Sequence, residues 1–540
     1  MSFVIAGNSA STGYNLTRSL RFRSSATAWL GRTPATTTNQ QTWTFSAWIK
    51  RGTISTQQSI FDIASGSAGV PRGGFYFETD NTLNFLFNTS GSAFNVQLIT
   101  TQVFRDPSAY YHIVFSVDTT QATAANRIKV YLNGTQITAF STATYPAQNT
   151  DFPINSTALH NIGRLANNSS YFDGYLTEVN FIDGQALTPS SFGSINALTG
   201  VWQPARYTGS YGTNGFYLPF TDNSALTTSS NVGLGKDFSG NANYWTTNNI
   251  SITAGVTYDS MTDVPTLTSA TAANFAVLNP LNYGQAGTSL VISNGNLQAV
   301  SDRTAASNWT QSTITLPTTG KWYCEMIATA GCAVGLLDIT TPNQNSVPTK
   351  YRTYFGNSGN KISDNGGSVA YGLSFTNTDT IGIAVDMGAG TLVFYKNNSS
   401  QGTAYTDISS VGVTWALGCY FTGLTNNTVI VNFGQRPFQY TPPTGFVALN
   451  TFNIAAGTVT TSGSFTGNLS ANGPFVYLNG VPTAMTINGN AVTFGTHADK
   501  LANGFKVRSS SALYNLATSN TYSVTTNGAV TKYANAQGNP

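Results

Sequence analysis

Acid–base chemistry would have to come from very few carboxyl groups. Of 21 acidic residues only Glu78, Glu178 and Glu325 are glutamates. A retaining glycoside hydrolase needs two carboxylates about 5–5.5 Å apart across the sugar. No two of these glutamates fall within one strand's length of each other, so no strand supplies such a pair. Aspartate pairs from distant loops stay open, but no spacing selects one. The histidines His112, His160 and His497 are scattered, and Cys324, Cys332 and Cys419 form no C-x-x-C pair. The cysteines read as buried free thiols rather than as a disulfide framework or a zinc site. G-x-S-x-G, H-E-x-x-H and P-loop patterns are missing too. The expectation is a protein that is not an enzyme.

Binding chemistry has more to draw on. Aromatic residues make up 12% of the chain, and exposed aromatic faces stack against sugar rings. Trp48, Trp202, Trp245 and Trp309 lie near turns or on the side of a strand opposite the apolar one, which makes them candidates for such stacking. Core packing is the alternative for each, and Trp43 and Trp322 are assigned to cores outright. Arg436, near a strand end, reads as a buried hydrogen-bonding group.

The elements that must position these residues are strands. Only 8% of residues are charged, against roughly 25% in a typical soluble domain. With 24 basic and 21 acidic side chains the net charge is +3, which offers no concentrated basic face for nucleic acid. No apolar run approaches the roughly 18 residues of a membrane span. The start, Met1-Ser-Phe-Val-Ile-Ala-Gly, lacks the basic and apolar segments of a secretory leader, so none is expected. Polarity comes from Ser, Thr, Asn and 52 Gly, which favour strands and turns.

Alternation confirms the period. Thr42-Trp-Thr-Phe-Ser-Ala-Trp-Ile-Lys50 puts Trp43, Phe45 and Ala47 on one face and Trp48 on the other, where it needs cover or a ligand. His112–Val117 and Ile128–Leu132 read as further strands, and Asn133-Gly134 as a two-residue hairpin turn. No heptads appear. The predicted fold is all-β: tandem jelly-roll or β-sandwich domains joined by a Gly/Asn-rich connector. Residues 1–16 form a polar arm, 17–193 the first sandwich and 194–267 the connector. Residues 268–449 form the second sandwich, and 450–540 a small C-terminal β domain.

The first domain resembles the LamG, or concanavalin A-like, jelly roll. Ser19-Leu-Arg-Phe22, Trp43–Trp48, Tyr111-His-Ile-Val-Phe115, Lys129–Gly134, Asn161-Ile-Gly163 and Tyr171–Val179 carry the resemblance by their order. The second resembles a SPRY domain through Gly320-Lys-Trp-Tyr-Cys-Glu325, Gly331–Leu336, Asp379–Asp386, Thr391–Lys396 and Asn432–Phe438. SPRY domains bind partners through loops at one end. Such a tandem, with the connector Asn214-Gly-Phe-Tyr-Leu-Pro-Phe220, is similar to virion proteins of tailed bacteriophages.

That resemblance implies a tail-fibre or other appendage subunit that binds a host-surface glycan or protein. Capsid decoration or a head fibre is the alternative, and a polysaccharide depolymerase the second. It further implies other virion proteins as partners, homo-oligomerisation with a trimer favoured, and no membrane insertion. LamG-like rims also hold Ca²⁺ on aspartates and carbonyl oxygens. Candidates are Asp118 and Asp173, or Asp237 with Asn241 and Asn243; Asx-turns are the alternative at each.

Overall fold

The computed structural model describes residues 14–527, apart from 65–70, 90–93, 197–199, 285–289, 302–307, 340–347, 365–366, 422–425, 455–457, 478–481 and 502–503. Residues 1–13 of the expected arm therefore lie outside the described residues. The chain divides into two compact units. One holds Gly13–Ile195 and Trp202–Asn450, and the other includes Thr451–Pro540. Among the described residues there is no α-helix, and no helix long and apolar enough to cross a membrane.

The first sandwich has two antiparallel sheets. One runs in the order β10 (Thr135–Ile137), β9 (Ile128–Leu132), β8 (Tyr111–Asp118), β3 (Thr42–Arg51), β13 (Gly174–Asp183), β1 (Ser19–Phe22), β18 (Ser260–Met261), with β16 (Phe216–Leu218) also on β13. The other runs β11 (Phe140–Thr144), β7 (Val96–Val103), β6 (Thr82–Asn88), β5 (Arg72–Phe77), β4 (Gln58–Ala64), β12 (Leu159–Ile162), β2 (Trp29–Arg32), β17 (Thr246–Asn248). β14 (Gly193–Ile195) and β15 (Trp202–Pro204) form a separate ribbon.

Alternation along β3 places Trp43, Phe45 and Ala47 in the core, as their spacing predicts. Trp43 lies 6.2 Å from Phe85 and 6.0 Å from Phe181, so rings from both sheets meet. Asn133 and Gly134 both have positive φ, 47° and 83°, and turn β9 into β10.

The stretch 194–267 is not a free-standing connector. It supplies β16 and β18 to one sheet and β17 to the other, and Phe216, Leu218, Leu234 and Trp245 join the core.

The second sandwich also has two sheets. Lys321–Ala328 pairs with Thr380–Asp386 and Asn427–Asn432 in one, and Cys332–Asp338 with Trp415–Phe421 and Tyr351–Phe355 in the other. Cys324, Cys332 and Cys419 are buried free thiols.

Buried polar groups join the two sandwiches into one unit. Lys50 Nζ, fully buried, donates to Asp263 at 2.8 Å, to Asn274 at 2.7 Å and to the Phe275 carbonyl at 2.8 Å. Arg21 donates to the Asn294 carbonyl of the second sandwich at 3.4 Å, while Arg21 and Arg23 share Asp259 within the first at 3.0 and 2.9 Å. Removing one partner from such a buried pair costs about 3–5 kcal/mol. A turn of the second sandwich, Asn294-Gly295-Asn296, has three successive positive φ angles of 60°, 71° and 57°. It docks on the first, where the Tyr175 hydroxyl donates to the Gly295 carbonyl at 2.7 Å.

The C-terminal unit packs a four-stranded against a three-stranded sheet around Phe465, Ile487, Phe505 and Tyr522.

Candidate functional site

The four tryptophans proposed to meet a ligand are committed to packing. Trp245 and Trp309 are fully buried, Trp245 against Phe216 at 4.8 Å and Trp309 beside Leu337 and Tyr351. Trp48 does lie on the face of β3 opposite the core, but it is covered. His112, its register partner on β8, stacks on it at 4.8 Å, and Trp202 stacks on His112 at 5.8 Å. The Trp202 indole N–H donates to His112 Nδ1 at 2.9 Å. An indole can only donate, so Nδ1 accepts and Nε2–H donates to Ser46 Oγ at 2.9 Å. Burial pushes the His112 imidazole down to about 3. A Cβ on Gly134 or Gly193 would come within 2.5 Å of the Trp202 ring, so those glycines seal the indole in place. The expectation of open ligand faces is corrected at Trp48, Trp245 and Trp309 by burial, and at Trp202 by this packing.

The expected calcium residues are each engaged by donors. Asp118 accepts from Thr120 N at 3.0 Å, Thr120 Oγ1 at 2.6 Å and Gln121 Nε2 at 2.6 Å, closing its own turn. Asp173 accepts the amides of Gly295 at 2.7 Å and Asn294 at 2.9 Å, and Ser24 Oγ at 3.1 Å. Asp237 accepts from Tyr217 N, Ser239 N and Asn243 N at 2.8 Å each, and from Ser239 Oγ at 2.7 Å. Asn241 Nδ2 donates to the Gly212 and Gly215 carbonyls at 2.6 and 2.9 Å, and Asn243 Nδ2 to those of Thr213 and Gly215 at 2.8 Å each. A hard cation needs bare oxygens turned toward one point. Here N–H and O–H groups surround the carboxylates, so this donor set does not fit Ca²⁺. Among the described residues no cluster of three His, Cys, Asp or Glu side chains is placed to hold a metal.

The glutamates are likewise apart and occupied. Glu178 accepts the Tyr14 and Tyr217 hydroxyls at 2.6 Å each. Glu325 accepts the Gln439 and Tyr440 amides at 2.8 Å each. Glu78 takes the side-chain amides of Gln57 and Asn84 at 2.9 and 2.8 Å.

One open cleft of about 400 Å³ has the makings of a binding site. Its floor is the edge of the second sheet, where β17 pairs with β2: Thr246 opposite Gly31, Asn248 opposite Trp29. Leu30, between Trp29 and Gly31, points into the core, so strand alternation turns its neighbours outward. Gly31 lets the Trp29 indole lie along the strand, since a Cβ there would come within 2.5 Å of the ring. The Arg164 guanidinium sits 3.2 Å from the Trp29 ring centroid and is held by Asn161 Oδ1 at 3.0 Å.

Arg32, Asn243 and Tyr244 also line the cleft. Arg32 donates to the Asn214 carbonyl at 3.2 Å and to Asn243 Oδ1 at 2.5 Å. Burial lowers its guanidinium to about 10, opposed by Asp237 and Asp183 nearby. Thr33, Thr228 and Thr246 add hydroxyls, and among the described residues no Asp or Glu is in the lining. Half-buried Trp29 and Tyr244 give ring faces; the amides, hydroxyls and guanidinium give a polar rim. That combination suits a sugar and lacks any acid–base pair.

Of the residues expected from sequence, Asn243 alone lines this cleft. Trp29, Arg32 and Tyr244 were missed; Trp29 and Gly31, two apart on a short strand, are the one local hint of an indole lying flat. A second cleft, about 390 Å³, lies between residues 254–256 and the second sandwich. Its Glu325 and Arg436 are already bonded internally, Arg436 to the Val256 and Val431 carbonyls at 3.1 and 3.3 Å.

Residues 25–191 match the concanavalin A-like lectin/glucanases superfamily, and residues 321–436 match the SPRY domain. The chain thus carries a LamG-type, concanavalin A-like domain followed by a SPRY domain. Among solved structures, the human HERC1 SPRY domain is 18% identical, covering 28% of this chain and 94% of that one, with a TM-score of 0.23. Stonustoxin is 19% identical over 29% of this chain and 27% of that one, TM-score 0.23. A candidate carbohydrate-binding protein from Bacteroides ovatus is 17% identical over 44% of this chain and 59% of that one, TM-score 0.30.

Proposed function

We propose that this protein is a non-enzymatic, glycan-binding subunit of a bacteriophage particle, in a tail fibre or similar appendage that attaches to the host surface. The observation that carries the binding role is the Trp29–Arg32–Asn243–Tyr244 cleft on a lectin-type sandwich: ring faces beside a rim of polar groups, with no carboxylate in the lining. Internal engagement of Glu178 and Glu325 supports the non-catalytic part. The phage setting rests on the order of the two sandwiches and the Asn214–Phe220 segment between them, which resembles that of tailed-bacteriophage virion proteins. Other virion proteins and further copies of the chain, in a trimer, are the partners this setting entails.

Binding of the purified protein to host-surface polysaccharide, with no reducing ends released, tests the reading. Absence of binding overturns it. Immunogold labelling of particles then separates a tail appendage from a capsid decoration or head fibre.

A further inference from the structure

We propose that the cleft prefers anionic saccharides, with a carboxylate or phosphate of the ligand seated on Arg32; this rests on the glycan-binding role above. Arg32 opens onto the cleft, yet both of its described partners are neutral oxygens, the Asn214 carbonyl and Asn243 Oδ1. No carboxylate among the described residues forms an ion pair with it. The two acids behind it are otherwise engaged. Asp183 accepts Asn155 Nδ2 and the Asn214 amide at 2.9 Å each, and Asp237 holds the four donors described above.

Other buried arginines differ in one of two ways. Arg21 and Arg352 have carboxylate partners, at 3.0 and 2.6 Å. Arg51, Arg164 and Arg436 have none, but they are buried, at 0%, 8% and 5% exposure. Arg32 combines the lack of a contacting carboxylate with an open side; Asp183 and Asp237 act on its charge without touching it. With no acid in the lining to repel it, an oxyanion would meet a planar fork built for bidentate contact.

The test is titration of the full-length protein and Arg32→Gln with matched pairs: oligogalacturonate against its carboxyl-reduced form, sialyllactose against lactose, and mannose 6-phosphate against mannose. An acidic member binding at least tenfold more tightly than its neutral partner is expected, with Arg32→Gln removing that difference; a gap that survives Arg32→Gln overturns the seat on Arg32. Whether a carboxylate or a phosphate pair shows the gap identifies the anion. Equal affinity for acidic and neutral members overturns the anionic preference and leaves glycan binding standing. Failure of every sugar, and of host polysaccharide, overturns both. An unchanged melting curve shows that Arg32→Gln still folds.

Discussion

The carboxylate of Asp173, on the first sandwich, holds the backbone amide of Gly295, in a turn of the second, at 2.7 Å. With the Asn294 amide at 2.9 Å on its other oxygen, Asp173 works as a clamp between two domains. The successive left-handed residues of this turn present both N–H groups to one carboxylate. The two sandwiches are therefore expected to unfold together. Asp173→Ala leaves these buried amides unpaired and is expected to destabilise by about 2–4 kcal/mol. Calorimetry checks it: one transition for both sandwiches in the wild type, lowered or split in the variant. An unchanged transition contradicts the clamp.

The same geometry makes a prediction about metal. Chelator should leave the melting temperature unchanged, and millimolar Ca²⁺ should not raise it, because Asp118, Asp173 and Asp237 face donors rather than a cation site. A calcium-dependent rise would mean that ligands other than these form a site.

Stability should fall in mild acid. Burial pushes His112 down to about 3 and His160 to about 4. An unfolded imidazole titrates near 6.5, so below that pH the unfolded chain takes up protons that the folded one refuses. The stability present above pH 6.5 is lost as pH falls toward these values, by roughly 3–5 kcal/mol per histidine. His160 is the cleaner probe, because its Nε2 is buried and has no partner among the described residues. Denaturant midpoints between pH 7 and 4 should fall less steeply in His160→Met; an identical slope contradicts the assignment.

Asp62 should act with the opposite sign. Burial raises its carboxyl to about 7, against hydrogen bonds from Tyr76 at 2.6 Å and the Ala166 amide at 2.7 Å. Its contribution is full below its unfolded value near 4 and is lost as pH rises through 7. Asp62→Asn removes that dependence, so the variant's stability relative to wild type should improve between pH 5 and 8. A constant difference across that range would contradict it.

The sequence revealed what is local and hid what is not. The alternation that buries Trp43 and Phe45 spans a ten-residue strand and was readable. So was the Asn133-Gly134 turn. Trp48 visibly needed cover, but its cover, His112 with Trp202, comes from far along the chain. Residues 194–267 read as a connector because Phe216–Leu218 and Thr246–Asn248 are three-residue strands, too short to show a period. Asp173 and Asp237 were singled out as acids in loops, but whether such an acid meets a cation or backbone amides depends on which turn docks against it. For Arg32, neutral partners in place of a contacting carboxylate appear only once Asn214 and Asn243 fold around it.

The most direct test of the glycan-binding account is calorimetric titration of host-surface polysaccharide into the wild type and Trp29→Ala. Trp29 is half-exposed on β2, next to the edge strand β17, so its loss should remove binding surface while leaving the fold intact. The account predicts binding by the wild type and at least a tenfold loss in the variant, about 1.4 kcal/mol, with an unchanged melting curve. Equal affinity of the two proteins, or no binding by the wild type, would contradict it.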